Sequence, residues 1–271
     1  MSNLYIDIGG TYLRSELDGK LKRVLTKDHN LVEYIEKLLL KYDIKDISIS
    51  FAGQVNDGVI ISSPNIRVSK KEIKKYFEKK YGICLYIDND LNCALLAESK
   101  VSSSNNIALL YVGTGLGSSV LDNGRIIRGK GNITCEIGHV PFKKAPFLCG
   151  CGKDNCLELF ASGSGLEKWL HFKGFKTMSL TEIKAKKEFN EIYENFCEAL
   201  LRAAATITTL FDPKELILGG GIIESNTFLV DLVKDNIDKY VLKSSLKGLI
   251  IKKSEIKDAS LKGARELRIK N

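Results

Sequence analysis

His139, Cys149, Cys151 and Cys156 supply one imidazole nitrogen and three thiol sulfurs, spaced as His, nine residues, Cys-x-Cys, four residues, Cys. One nitrogen and three sulfurs complete a tetrahedral set for Zn2+. A site filled by four protein ligands is structural rather than catalytic, because no position stays open for substrate. Gly150 and Gly152 flank the middle cysteine and let the backbone turn tightly enough for closely spaced thiolates to converge. Thiols that share a loop by chance belong among apolar neighbours, whereas these stand among Gly, Lys, Asp and Asn. Bound zinc would add on the order of 10 kcal/mol to the folding of a segment with few apolar residues.

Coordination through one ring nitrogen leaves the other nitrogen of His139 as an N–H donor in a set direction. Glu136 lies three residues before it and Glu158 two residues after Cys156, so one loop presents a donor beside two carboxylate acceptors, the set a polyol needs. Either glutamate alone would read as a surface carboxylate. A second constellation, Asp88-Asn89-Asp90, stands immediately before a helical pattern that begins at Leu91. Asp and Asn are favoured helix N-caps, and capping is the plainer reading. A carboxylate at a strand end beside a helix terminus is also placed to accept a hydroxyl proton as that oxygen attacks phosphorus, a contribution of about 100- to 10,000-fold.

Glycine turns follow three separate strand patterns: Gly9-Gly10-Thr11, Gly113-Thr114-Gly115-Leu116-Gly117 and Gly219-Gly220-Gly221. Bare backbone N–H groups in such turns bind phosphate oxygens, although one glycine turn alone is usually only a turn. Neither a Walker lysine motif nor GxGxxG occurs, which argues against P-loop and dinucleotide folds.

The elements that must position these residues alternate in type. Strand patterns at Leu4 to Ile8 and Tyr12 to Leu17 flank the first glycine turn, and apolar runs ending at Val112 and Leu121 flank the second, as in a diverged duplication. Between them lie a helix near Leu31 to Tyr42, a strand at Ile47 to Phe51, a lysine-rich helix within Lys70 to Tyr81, a strand near Leu85 to Ile87 and a helix from Leu91 to Glu98. Gly129 to Gly165 reads as ordered loops. A long helix follows with Ile192, Phe196, Ala199, Leu200, Ala203, Ile207, Leu210 and Phe211 on its inner face, stopped by Asp212-Pro213, and Glu215 to Leu218 is a strand. The alternation implies an α/β fold.

The 271 residues, 44% of them hydrophobic, suffice for one large core or two modest ones and exclude disorder. The N-terminus lacks the basic and apolar regions of a signal peptide, and no run reaches the ~18 apolar residues of a membrane span, so a cytoplasmic protein with no membrane partner is expected. A net charge of +8 raises nucleic acid as a partner. Lys70, Lys71, Lys74, Lys75 and Lys79, however, cover one face of a helix whose other face carries Ile73, Tyr76, Phe77 and Tyr81, an ordinary solvated face without any nucleic-acid motif. Cys84, Cys93, Cys135 and Cys197 read as small core residues.

With DIGGT, DNDLNCALLAE, GTGLG, EIGH, CGCGKDNCLE and LGGGI in this order, the chain resembles the ROK family of sugar kinases, open reading frames and repressors over nearly its whole length. EIGH followed by CGCGKDNCLE is the most specific part. The resemblance implies an actin-like ATPase (ribonuclease H-like) duplicated fold with two lobes around a cleft for ATP and sugar, and a homodimer. The N-terminal lobe is expected at 1–112, joined by a C-terminal helix near 257–271, and the larger lobe with the zinc loop at 113–256. The resemblance makes Asp90 the catalytic base toward the six-position hydroxyl and gives Asn65, Asn89, Asp90, Glu136, His139 and Glu158 as sugar contacts. Asp7, Gly9, Gly10 and Thr11 match the first phosphate motif, whose Asp lies near Mg2+. Gly113, Thr114, Gly115 and Gly117 match the second, and Gly219, Gly220 and Gly221 the adenosine motif. Thr134 and Cys135 stand where the family usually has Ala and Gly, and Arg67 follows Pro64-Asn65-Ile66 where it often has Pro.

Glucose is the expected phosphoryl acceptor, because Glu136, His139 and Glu158 together meet several ring hydroxyls. N-acetylmannosamine, N-acetylglucosamine and fructose are the alternatives. The family's regulators sense sugar without catalysis but carry an added DNA-binding domain. Only six residues precede Asp7, too few for a helix-turn-helix, so an enzyme is expected.

Overall fold

The computed structural model describes residues 2–63 and 65–268, which leaves Pro64 and the end of the expected C-terminal helix outside the described residues. The chain forms two compact units. The first comprises the described parts of Met1–Ser103, Arg128–Thr134 and Ile256–Asn271, and the second comprises Ser104–Ile127 and Cys135–Glu255.

In the first unit, β1 (Ser2–Ile8), β2 (Tyr12–Leu17) and β3 (Lys20–Leu25) form an antiparallel meander. The chain continues through helix α1 (Leu31–Leu39), β4 (Ile44–Phe51), a small hairpin of β5 (Gln54–Asn56) and β6 (Val59–Ser62), helix α2 (Ile73–Tyr81), β7 (Cys84–Asn89) and helix α3 (Asp90–Val101). β4 and β7 add in parallel beside β1, giving the order β3-β2-β1-β4-β7. Apart from Lys45, β4 is buried along its length, as a central parallel strand must be. Its core holds Phe51 and Phe77 with Leu4, Ile6, Ile47 and Ile49.

The second unit begins with β8 (Ile107–Val112), β9 (Leu116–Asp122) and β10 (Arg125–Ile126), again an antiparallel meander. Helices α4 (Gly163–Phe172), α5 (Leu180–Ala185) and α6 (Asn190–Phe211) precede β11 (Glu215–Gly219), and α7 (Gly221–Ser225) and α8 (Phe228–Asn236) precede β12 (Ile250–Lys253). β11 and β12 join in parallel beside β8, so the order β10-β9-β8-β11-β12 repeats the first sheet in both sequence and sense. This twice-used topology is the actin-like ATPase fold. Helix α9 (Ala259–Glu266) returns to the first unit and packs on α3, where a Cβ on Gly263 would lie 1.6 Å from the carbonyl oxygen of Cys93.

Four expectations need correction. The division falls after Ser103 rather than at 112, because β8 is hydrogen-bonded between β9 and β11, and 128–134 belongs to the first unit. Leu210 is 68% exposed; Thr208 takes the inward place in the last turn of α6. Cys84 is exposed, since alternation along β7 sends Leu85 inward, whereas Cys93 is buried and Cys135 and Cys197 are half-buried. The cysteine-bearing segment is not core-poor. Phe142, Phe147 and Phe160 join Trp169 and Phe172 in a chain of ring contacts, and the Trp169 indole donates to the Leu159 carbonyl at 3.0 Å. Among the described residues, no helix is long and apolar enough to cross a membrane.

Candidate active-site residues and metal centre

The first unit gathers its candidate residues at the C-terminal ends of its parallel strands, where open α/β sheets bind ligands. Asp7 of β1 is in register with Ser50 of β4, and Ser50 with Asp88 of β7. Asp7 is buried, and both its oxygens are engaged. Ser50 donates to Oδ1 at 2.7 Å, while the Nε and Nη2 groups of Arg14 donate to Oδ2, and Arg14 also pairs with Asp258. The Gly9–Thr11 turn follows, held by the Thr26 hydroxyl on the Gly9 carbonyl at 2.7 Å and the Thr26 amide on the Thr11 carbonyl at 3.0 Å. Exposed Asn65 lies over this turn, its Cβ 3.4 Å from the place of a Cβ on Gly10.

At the β7–α3 corner Asn89 is the helix N-cap. Its Oδ1 accepts from the amides of Leu91 at 2.9 Å and Asn92 at 3.4 Å, and its Nδ2 donates to the Gly53 carbonyl at 3.1 Å. Among the described residues only the Gly53 carbonyl accepts from this amide, which has a second N–H. Asp90 is the first residue of α3 and is half-buried. Aspartate suits that first turn, where the unpaired amides favour negative charge.

In the second unit the second and third glycine turns lie side by side. β8 and β11 are neighbours, and a Cβ on Gly113 would stand 4.0 Å from the Gly221 amide nitrogen. The amides of Gly163 and Ser164, at the start of α4, donate to the carbonyls of Gly113 and Thr114 at 2.8 and 3.0 Å. Gly117 lies within β9, opposite Tyr111. Gly220 has a φ of +88° with the Val112 carbonyl 2.6 Å from where its Cβ would be, so only glycine fits there.

Glu136 caps the short helical turn Ile137–His139, and Cys156 begins the turn Leu157–Leu159 that carries Glu158. The ligating atoms of His139, Cys149, Cys151 and Cys156 all lie within 4.8 Å of one another. His139 Nδ1 is 3.7 Å from Cys149 Sγ, and Cys151 Sγ is 3.4 Å from Cys156 Sγ. Backbone pairing holds the loop closed, with the amide of Cys149 on the Lys153 carbonyl at 2.7 Å and that of Gly152 on the Cys149 carbonyl at 2.9 Å. Burial pushes the Cys149 thiol up and the Cys156 thiol up to about 12. Burial also raises Cys151, but the Lys153 amide and the thiols of Cys156 and Cys149 outweigh it, and its net shift is downward. Such thiols become thiolates together only when a cation compensates them, and one nitrogen with three sulfurs is a donor set that fits Zn2+.

With Nδ1 turned toward the thiols, His139 Nε2 faces the other way, 4.0 Å from Glu136 Oε2. Burial raises the carboxyl of Glu136, opposed by His139 and reinforced by the charge of Glu158. Glu158 is fixed differently. Its Oε2 accepts from the Leu116 amide at 3.0 Å and its Oε1 lies 3.4 Å from Cys149 Sγ, so one side chain ties the cysteine cluster to the second glycine turn. Cys135, just before Glu136, has a φ of +66°, a region that favours glycine, and the Ser118 hydroxyl holds its carbonyl at 2.6 Å.

Each unit thus assembles its own share of the residues singled out in the sequence. Sequence reasoning missed Arg14, Ser50, Arg128 and Asn132, which hold Asp7 and Asp88. Ser50, Arg128 and Asn132 act on partners about 40 residues away, and Arg14, although only seven residues from Asp7, sits on the neighbouring strand with no motif to mark it.

A model described as the ROK family matches residues 4–271. The N-acetyl-D-glucosamine kinase of Aliivibrio salmonicida is 30% identical over 300 residues, covering 97% of this chain and 98% of that one. Two solved structures share the fold. The ROK hexokinase from Thermus thermophilus has a TM-score of 0.80 at 24% identity, covering 98% of this chain and 97% of that one. A ROK family glucokinase from Streptomyces griseus, in complex with glucose and AMPPNP, has a TM-score of 0.75 at 20% identity, covering 98% and 99%.

Proposed function

Because the chain belongs to the ROK family, we propose that it is an ATP-dependent sugar kinase that phosphorylates the six-position hydroxyl of N-acetyl-D-glucosamine. The observation that carries the reading is the two-sided setting of His139, with Nδ1 toward three thiols and Nε2 beside Glu136. A ring held through one nitrogen offers the other as a fixed donor, and a fixed donor next to carboxylate acceptors recognises vicinal hydroxyls.

In this reading Glu136, His139 and Glu158 bind ring hydroxyls, with Asn65 and the remaining amide hydrogen of Asn89 adding contacts. Asp90 accepts the proton of the attacking hydroxyl as the new oxygen–phosphorus bond forms and the bond from the γ-phosphorus to the bridging oxygen breaks, releasing ADP. The amides of Gly9, Gly10 and Thr11 and of Gly113, Thr114 and Gly115 take the nucleotide phosphates, and Gly219, Gly220 and Gly221 admit the adenosine. His139, Cys149, Cys151 and Cys156 would hold zinc, whose contribution is to orient the imidazole. Magnesium, when bound with ATP, neutralises phosphate charge. Asp7, with both oxygens already engaged, suits a place beyond the ion's own ligands.

The choice of N-acetyl-D-glucosamine over glucose rests on the Aliivibrio relative. Glucose is the second reading, favoured by His139 Nε2 beside the Glu136 carboxylate, a donor and an acceptor that ask only for hydroxyls. A coupled ADP-release assay over N-acetylglucosamine, glucose, N-acetylmannosamine and fructose tests both. The highest kcat/KM is expected with N-acetylglucosamine. Sugar binding without ADP release would make the chain a sensor and defeat the proposal.

A further inference from the structure

Asp88 stands two residues before Asp90, and its carboxylate is 3% exposed. Its Oδ1 accepts from the Asn89 amide at 2.8 Å, from Asn92 Nδ2 at 3.0 Å and from Asn132 Nδ2 at 3.0 Å. Its Oδ2 pairs with Arg128 Nη2 at 2.6 Å. Asn132 closes the ring of contacts. Its Oδ1 accepts from Arg128 Nη1 at 3.0 Å and from Asn92 Nδ2 at 3.3 Å, and its Nδ2 also donates to the Val55 carbonyl at 2.7 Å. Asn132 adopts a φ of +54°, a conformation that Asn tolerates better than most residues.

Arg128 and Asn132 both come from 128–134, an excursion into the first unit from chain that otherwise belongs to the second. The excursion therefore delivers a guanidinium and an amide onto one carboxylate. That carboxylate joins the penultimate residue of β7 to Asn92, one turn into α3, and the corner between them is Asn89-Asp90. The ion pair is buried only on the Asp88 side, with Arg128 44% exposed, so solvent screening leaves it a weak source of stability; what it supplies is direction. We propose that Asp88, clamped by Arg128 and Asn132, is a positioning residue for phosphoryl transfer that fixes the corner presenting the Asp90 carboxylate. The inference rests on the reading of Asp90 as proton acceptor.

The test uses Asn132→Ala and the isosteric Asn132→Asp in the full chain, with Arg128→Lys as a third variant that keeps the charge but lacks the fork. Sugar-dependent kcat, the KM for sugar, the Kd for AMPPNP and Tm are measured for each. A misplacement of about 1 Å costs about 100-fold. Both Asn132 variants are expected to lose about that much kcat, with the sugar KM and the AMPPNP Kd within about threefold of the parent. Arg128→Lys should lose about tenfold, and it carries the test if the Asn132 variants do not fold. An active parent with unchanged kcat in the variants overturns this inference alone, as does an equal loss of AMPPNP binding, which marks a general defect of the fold. A parent without sugar-dependent ADP release overturns the proposed function and this inference with it.

Discussion

The Nδ1 atom of His139 faces the Sγ atom of Cys149 at 3.7 Å, while its Nε2 lies 4.0 Å from Glu136. One ring thereby links a set of sulfur ligands to a carboxylate that can bind a hydroxyl. If the ring binds zinc and sugar as proposed, loss of a zinc ligand should be felt at the sugar. Cys151→Ser is expected to lower the zinc content and to weaken sugar binding by about tenfold, measured by metal analysis and calorimetry. The fold itself should survive, because the ring contacts of Phe142, Phe147, Phe160 and Trp169 hold the segment independently of the ion. Parental sugar affinity in a metal-free variant would separate the two sides of the ring.

Asp90→Ala is expected to reduce kcat by about 100- to 10,000-fold. The sugar KM should stay within about threefold, since the carboxylate matters most as the hydroxyl loses its proton. Asn89 continues to cap α3 through Leu91 and Asn92, so this variant should stay folded, with a Tm only slightly below the parent's from loss of the charge in the first turn. Steady-state kinetics with thermal denaturation checks both. Turnover within tenfold of the parent would place the base elsewhere.

The two glycine-turn hairpins and the long helix were legible because each declares itself locally, by period two or by a 3.6-residue stripe ending at Asp212-Pro213. The cluster of candidate metal ligands was legible because His139 and the three cysteines lie close in sequence, and the structure brings their ligating atoms within 4.8 Å of one another. The clamp on Asp88 was not, since Arg128 and Asn132 reach it from far along the chain and look like any loop residues. Arg14 was missed for another reason: it lies only seven residues from Asp7, but as a strand residue that alternation alone would turn outward it gives no sign of neutralising a buried carboxylate. The aromatic packing around the cysteines escaped notice because its residues follow no period.

Gly263 is the point of closest approach between α9 and α3, with no room for a Cβ against the Cys93 carbonyl. Gly263→Ala must push the helices apart or distort one of them. Overpacking of this kind costs about 3 kcal/mol, and here the obstacle is backbone rather than a movable side chain. A fall in urea midpoint with an unchanged m-value is expected. A variant as stable as the parent would mean that α9 docks differently.

Glu36 gathers three donors on Oε1: Tyr76 at 2.6 Å, Lys80 at 2.8 Å and Tyr81 at 2.9 Å. Lys80, then Tyr76, hold its carboxyl down to about 2 from the ordinary 4.5, with burial opposing. A folded-state value below the unfolded one means that the unfolded chain takes up the proton first. Its contribution to stability is therefore complete above 4.5 and is lost as the pH falls from there through about 2. Glu36→Gln cannot take up that proton. Near neutral pH it should be less stable than the parent, and the gap should narrow steadily on acidification until the two stability curves meet below about 2. Denaturant titrations across that range give the comparison, and parallel curves would show that Lys80, Tyr76 and Tyr81 do not hold the charge in solution.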